Sequence, residues 1–172
     1  MVRGIERRQT TLAELFSNWD EEGKELLKQV DREIARGKEI AVDDEAEIGL
    51  RGLALSLVGR GIGANEGDTE VLAGLVNPAQ PQAIQQGALG SLARLTDPRV
   101  AEVLLVQWRQ QSPETQGRIL EMLLSRREWT VKVLEALEGG SLTARDLDAT
   151  ARLRLTKHAD GEIQARGIQL LA

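Results

Sequence analysis

The chain has no cysteine, no tyrosine, one phenylalanine and one histidine. Without cysteine it can form no disulfide, zinc ribbon, thiol nucleophile or covalent c-type haem site. With His158 alone, a His-rich metal centre or a Ser-His-Asp triad lacks its parts. Strand signals are as scarce as aromatic residues, and no stretch of six residues alternates cleanly between apolar and polar. No apolar run approaches the roughly 20 residues that span a bilayer, so no membrane insertion is expected. Met1 to Arg8 is charged and has no apolar region behind it, so a signal peptide is not expected either.

What is present suits a folded helical protein. Over 172 residues, 41% are apolar and 28% charged, so the chain can bury a core. The net charge of −5 comes from residues 1–76, while 77–172 are close to neutral. No face-sized basic surplus appears, which argues against nucleic acid as a partner.

The apolar residues recur with helical spacing. Leu12, Leu15, Phe16 and Trp19 share one face, with Thr11 and Glu14 placed as a capping box. Leu26, Leu27, Val30 and Ile34 form a second helix, expected to end near Gly37. Asp20 either caps it or lies in a continuous helix kinked near Gly23. From residue 45 the pattern repeats. The next stripe is Leu50, Leu53, Ala54, Leu57 and Val58, followed by Val71, Leu72, Leu75 and Val76. After these come Ile84, Ala88, Leu92 and Leu95, then Val100, Val103, Leu104 and Trp108. Ile119, Leu120, Leu123 and Leu124 precede Trp129, Val133, Leu134 and Leu137. Leu147, Ala151 and Leu155 precede Ile163, Gly167, Ile168 and Leu171. The pairs fall near 45–78, 80–111, 113–140 and 147–172. An interval of about 34 residues marks a helical repeat array, whose pairs share a core that none could build alone. Residues 1–44 read as a helical lead-in that caps the array. Gly49, Gly52, Gly87, Gly90, Gly117 and Gly167 lie inside predicted helices, where several are expected to let neighbours approach closely.

Candidate chemistry is thin. The Gly59–Gly67 loop follows a helix rather than a strand and lacks Lys-Ser/Thr, so it reads as a linker, not a phosphate cradle. Asp43, Asp44, Glu45 and Glu47 lack the spacing of a calcium loop and read as a charged helix start. His158 sits in an acidic turn between helices. Arg118, Arg126, Arg127, Arg152 and Arg154 are interleaved with glutamates and read as a solvated face. Trp108 and Trp129 fall on apolar stripes and are expected in the core. Trp19, on the terminal helix, is the better candidate for a partner anchor. No catalytic, cofactor-binding or metal-binding residue is expected.

Leu92-Ala93-Arg94-Leu95-x-Asp97-Pro98-Arg99-Val100 resembles the turn of a HEAT repeat, with Asp97 as cap and Pro98 in the first turn. His158-Ala159-Asp160-Gly161-Glu162-Ile163 is a weaker copy. With Val58-Gly59-Arg60-Gly61, Leu75-Val76-Asn77-Pro78, Val106-x-Trp108, Leu123-Leu124-Ser125-Arg126 and Asp146-Leu147-Asp148-Ala149, residues 45–172 resemble the HEAT-like segment of planctomycete-type multidomain proteins. In that family a dehydrogenase-like propeller precedes the segment and a c-type cytochrome domain follows it. The resemblance implies an all-α, right-handed α-solenoid of about four HEAT-like pairs plus N-terminal capping helices. It implies a non-catalytic scaffold or spacer excised from a larger redox-associated protein of the cell envelope or periplasm. A protein partner and a monomeric state are expected. Two alternatives stand beside it. One is a free-standing adaptor gripping a peptide or protein through Gln107, Arg109, Gln110, Thr130 and Lys132, taken as exposed on the second helix of each pair. The other is an enzyme on a HEAT-like scaffold, such as a chromophore lyase.

Overall fold

Among the described residues, the leucine- and alanine-rich stripes are carried by helices. The computed structural model describes residues 20–60 and 67–171. Among them are nine α-helices, two 3-10 turns and no strand. In chain order these are α1 (Glu21–Val42), α2 (Ile48–Leu55), α3 (Asp68–Leu75), α4 (Gln82–Leu92), α5 (Arg99–Val106), α6 (Pro113–Leu123), α7 (Arg127–Glu138), α8 (Ala149–Thr156) and α9 (Gly161–Leu171). The 3-10 turns are Trp108–Gln110 and Ala144–Asp146. The chain divides into two compact units, Met1–Leu95 and Thr96–Ala172. The first helix signal, with Trp19, lies outside the described residues.

Side-chain caps start several of these helices. Asp20 accepts from the Gly23 N–H at 3.0 Å, so α1 begins afresh rather than continuing through a kink. Ser112 accepts from the Thr115 N–H, with Pro113 at the first helical position, where a missing N–H costs nothing. Asp148 caps α8 through the Ala151 N–H at 2.7 Å. In the turns before α5 and α9, Asp97 accepts from the Arg99 N–H and Asp160 from those of Glu162 and Ile163. Each carboxylate satisfies donors that the helix itself leaves unpaired.

In the first unit α2 lies between α1 and α4, and α3 packs on α4. The core holds Leu55, Val58, Leu72, Ala73, Val76, Ile84, Ala88, Leu92 and Leu95. Two expectations fail here. Helix α1 does not stop near Gly37 but runs to Val42. Gly37 is buried, and a Cβ there would sit 3.2 Å from Leu57 Cδ1, so this glycine serves close packing and not helix termination. The buried stripe of α2 and the turn after it is Arg51, Ala54, Leu55 and Val58, while Leu50, Leu53 and Leu57 remain exposed. The helix is apolar over more than one face, and α4 selects the face holding Leu55.

In the second unit α7 lies between α5 and α9, and α8 packs on α9. Trp108 and Trp129 are core residues together with Val100, Leu104, Ile119, Leu123, Val133, Leu134, Leu155 and Ile163. The indole N–H of Trp129 donates to the Asp97 carbonyl at 3.2 Å, and the Arg126 guanidinium stacks 4.4 Å from its ring centroid.

A polar contact recurs with the repeat. The fourth residue after the N-cap of α2, α4, α6 and α8 is Arg51, Gln85, Gln116 and Arg152. Each donates to a carbonyl of the segment before its helix. Arg51 Nε reaches Ala41 O at 3.2 Å and Gln85 Nε2 reaches Gln80 O at 2.8 Å. Gln116 Nε2 reaches Trp108 O at 3.0 Å, and Arg152 Nε reaches Leu147 O at 3.1 Å. The carbonyls ending a helix or turn need such partners. Gln164, four residues after Asp160 at the start of α9, does the same with Thr156 O at 3.2 Å, so one solution serves five helix starts.

The helix glycines separate into two kinds. A Cβ on Gly167 would lie 2.9 Å from the Leu155 backbone, and one on Gly87 would lie 3.0 Å from Leu55 Cδ1. Gly49 faces only the Glu47 side chain, and nothing lies within 4 Å of a Cβ on Gly52, Gly90 or Gly117. Of these six glycines, close approach therefore explains Gly87 and Gly167 only, beside Gly37 in α1. Gly52→Ala, Gly90→Ala and Gly117→Ala are each expected to add up to about 1 kcal/mol of stability. Gly167→Ala is expected to lose stability, because backbone cannot yield as a side-chain tip can. Denaturant unfolding of the four variants checks both signs.

Candidate interaction surface

The second-unit helices α5, α7 and α9 present a row of charges that pair across the helices. Lys132 on α7 meets Glu102 of α5 at 2.9 Å and Glu135 at 3.1 Å. Arg127 at the start of α7 meets Asp160 at 2.7 Å and Glu162 at 3.3 Å, at the start of α9. Arg166 of α9 grips Glu138 at 2.9 and 3.0 Å with both arms of its fork. These contacts register the three helices without forming a vacant site.

The electrostatics follow from the pairs. The hydrogen bond from Arg127 holds the Asp160 carboxyl below its ordinary range, helped by the Ile163 N–H. Arg166 does the same for Glu138. The hydrogen bonds with Glu102 and Glu135 raise Lys132. A lowered carboxylate stabilises the fold above its unfolded pKa, and that contribution is lost as pH falls through the folded value. A raised lysine stabilises below its unfolded pKa and loses this as pH rises through the folded one. Stability should therefore be level across neutral pH and fall below about pH 4. Arg166→Gln should make the acid decline shallower, as thermal unfolding at stepped pH will read. All these groups keep contact with solvent, so the effect is small.

The five predicted surface residues that the structure describes are not all exposed. Thr130 is a correction: it is 0% exposed. Its hydroxyl donates to Arg126 O at 2.8 Å and lies 3.3 Å from Leu123 O. A threonine hydroxyl that bonds back to the preceding turn can be buried inside a helix. Lys132 is half-buried and engaged with two glutamates, and Gln107 is half-buried. Arg109 and Gln110 are exposed in the 3-10 turn after α5, where Arg109 Nη2 reaches Ser141 O at 3.3 Å. Trp19 lies outside the described residues. Sequence reasoning missed Val106, which is 86% exposed beside this turn. Its signal was its place off the stripe of Val100, Leu104 and Trp108. Val106, Arg109 and Gln110 thus give a small apolar and cationic knuckle at the end of α5.

The other chemical candidates have structural duties. His158 Nδ1 accepts the Asp160 N–H at 3.0 Å. Asp44 bonds Arg51 at 2.9 Å and Gln80 at 3.0 Å, and Asp43 accepts from the Glu45 N–H. Gly59 and Gly67 have φ of 82° and 78°, and Gly67 leads into α3, where Asp68 pairs with Lys38. That carboxylate occupies the helix start which a phosphate would need. Residues 61–66 of the loop lie outside the described residues. Among the described residues, no three His, Cys, Asp or Glu side chains are placed to hold a metal ion. No helix among them is long and apolar enough to cross a membrane. In comparison with known proteins, the chain matches no family model, no curated protein and no solved structure.

Proposed function

We propose that the chain is a non-catalytic helical-repeat module, a right-handed solenoid of HEAT-like pairs, that spaces and docks other domains or proteins. The observation that carries this reading is the recurrence of one locking contact at Arg51, Gln85, Gln116 and Arg152. Repeat construction of this kind makes extended surfaces from many equivalent elements. The side chains that chemistry would recruit, His158, Asp44 and Asp160, are tied to backbone N–H groups or to arginines and glutamine. The docking element is the knuckle of Val106, Arg109 and Gln110. Reading the parent gene across both ends tests the spacer role. The expected result is a frame continuing beyond Ala172 into another folded domain. A start at Met1 and a stop after Ala172 would contradict the spacer and leave the adaptor, favoured by the exposed Val106. Turnover of any redox or hydrolytic substrate by the isolated chain would contradict both.

A further inference from the structure

We propose that His158 is a pH-operated latch on the turn between α8 and α9, closed while its imidazole is neutral and released when the ring takes up a proton. The ring is half-buried, and its Nδ1 lies 3.0 Å from the Asp160 backbone nitrogen. A backbone N–H can only donate, so Nδ1 is the acceptor and the neutral ring carries its proton on Nε2. The same short contact closes other turns of the chain. Asp43, Asn77, Asp97 and Asp160 each accept from the N–H two residues on, at 2.9–3.0 Å. Carboxylates and an amide keep accepting across neutral pH, whereas a histidine changes charge there. Position 158 therefore turns a contact that is fixed at those turns into one that depends on pH.

The consequence reaches past the turn itself. A proton on Nδ1 would face the Asp160 N–H donor to donor, so the contact opens. Asp160 also begins α9. Its Oδ1 accepts from the Glu162 and Ile163 N–H groups, and its Oδ2 pairs with Arg127 at 2.7 Å. The charges around this turn come from three helices. Arg154 and Lys157 belong to α8 and its end, Asp160 and Glu162 to the start of α9, and Arg126, Arg127 and Glu128 to the start of α7. Arg127 is already shared between Asp160 and Glu162. An imidazolium two residues from Asp160 competes with Arg127 for that carboxylate and adds to the positive charge of Lys157 and Arg154. Protonation thus frees the turn and slackens the tie between α7 and α9. The ion pairs leave global stability level over this range, so the latch is read locally. The inference rests on this turn and not on what the module binds.

A single histidine makes the test direct. Nitrogen-resolved NMR of the full chain at about pH 8, where the ring is neutral, should show Nδ1 unprotonated and Nε2 protonated. Hydrogen exchange, corrected for the intrinsic rate at each pH, is the second readout. The Asp160 amide should lose about fivefold in protection between about pH 7.5 and about pH 5.5, the scale of one hydrogen bond. His158→Asn supplies an acceptor in the manner of Asn77 and should show no such fall. His158→Phe removes the acceptor and should be poorly protected at both values. Circular dichroism shows that the variants fold. A ring proton on Nδ1 in the neutral state or no fall in the parent chain would overturn the proposal. So would an equal fall in His158→Asn or full protection in His158→Phe.

Discussion

Trp129→Ala should cost about 3–5 kcal/mol, the largest loss expected from any single substitution in the second unit. The indole is 1% exposed on α7, which packs against α5, so truncation leaves a cavity in the core of the second unit that rigid helices cannot close. It also removes one of the donors to the Asp97 carbonyl, which accepts both the indole N–H and the Val100 N–H at the turn that starts α5. The Arg126 guanidinium loses its ring at the same time. Trp129→Phe keeps most of the volume and loses the hydrogen bond, so its cost should fall clearly below that of alanine. Urea unfolding followed by far-ultraviolet circular dichroism reads both. Equal costs for the two would mean that the hydrogen bond, not the volume, holds this turn.

Arg51→Met should cost about 3 kcal/mol in the first unit. The side chain is 2% exposed, and its guanidinium bridges three segments. Nε donates to Ala41 O at the end of α1, while Nη2 lies 2.8 Å from Gln80 Oε1 and 2.9 Å from Asp44 Oδ1. Methionine fills much of the space but leaves the Ala41 carbonyl and Gln80 without their donor. Arg51→Lys should rescue little, because one ammonium cannot reproduce the fork that meets three acceptors. Chemical denaturation of both variants checks this. Full stability in Arg51→Lys would show that charge alone suffices.

These two sites differ in how readable they were. The stripes from Ile84 to Val133 could be read directly, because each helix there carries apolar residues on one face and Asn-Pro, Asp-Pro or Ser-Pro breaks frame it. Trp129 followed from that pattern. Arg51 did not, since periodicity follows apolar residues and is silent about a buried cation. Helix α2 defeated the pattern for a related reason: with leucine on several faces, only the packing of Leu55 against Gly87 and Ser91 shows which face is inside. Gly37 carried two meanings, a stop and a close approach, and the sequence favours neither. Thr130 was expected on the exposed surface of the second helix of its pair, whereas its bond to Arg126 O satisfies the hydroxyl inside the core. Lys132 was assigned outward to a partner, but Glu102 on a different helix claims it. A long-range ion pair leaves no local trace in a sequence. Val106 stood in plain view as an apolar residue out of phase with its own helix.

The proposed function places binding at the knuckle of Val106, Arg109 and Gln110 at the end of α5. The most direct measurement places a photo-crosslinking amino acid at Gln110 in the protein within its own cells and identifies the adducts by mass spectrometry. One dominant protein adduct, to a neighbouring domain or a single partner, is expected, and Val106→Asp should abolish it without changing the thermal midpoint. Adducts spread over abundant proteins and unchanged by Val106→Asp would contradict the claim.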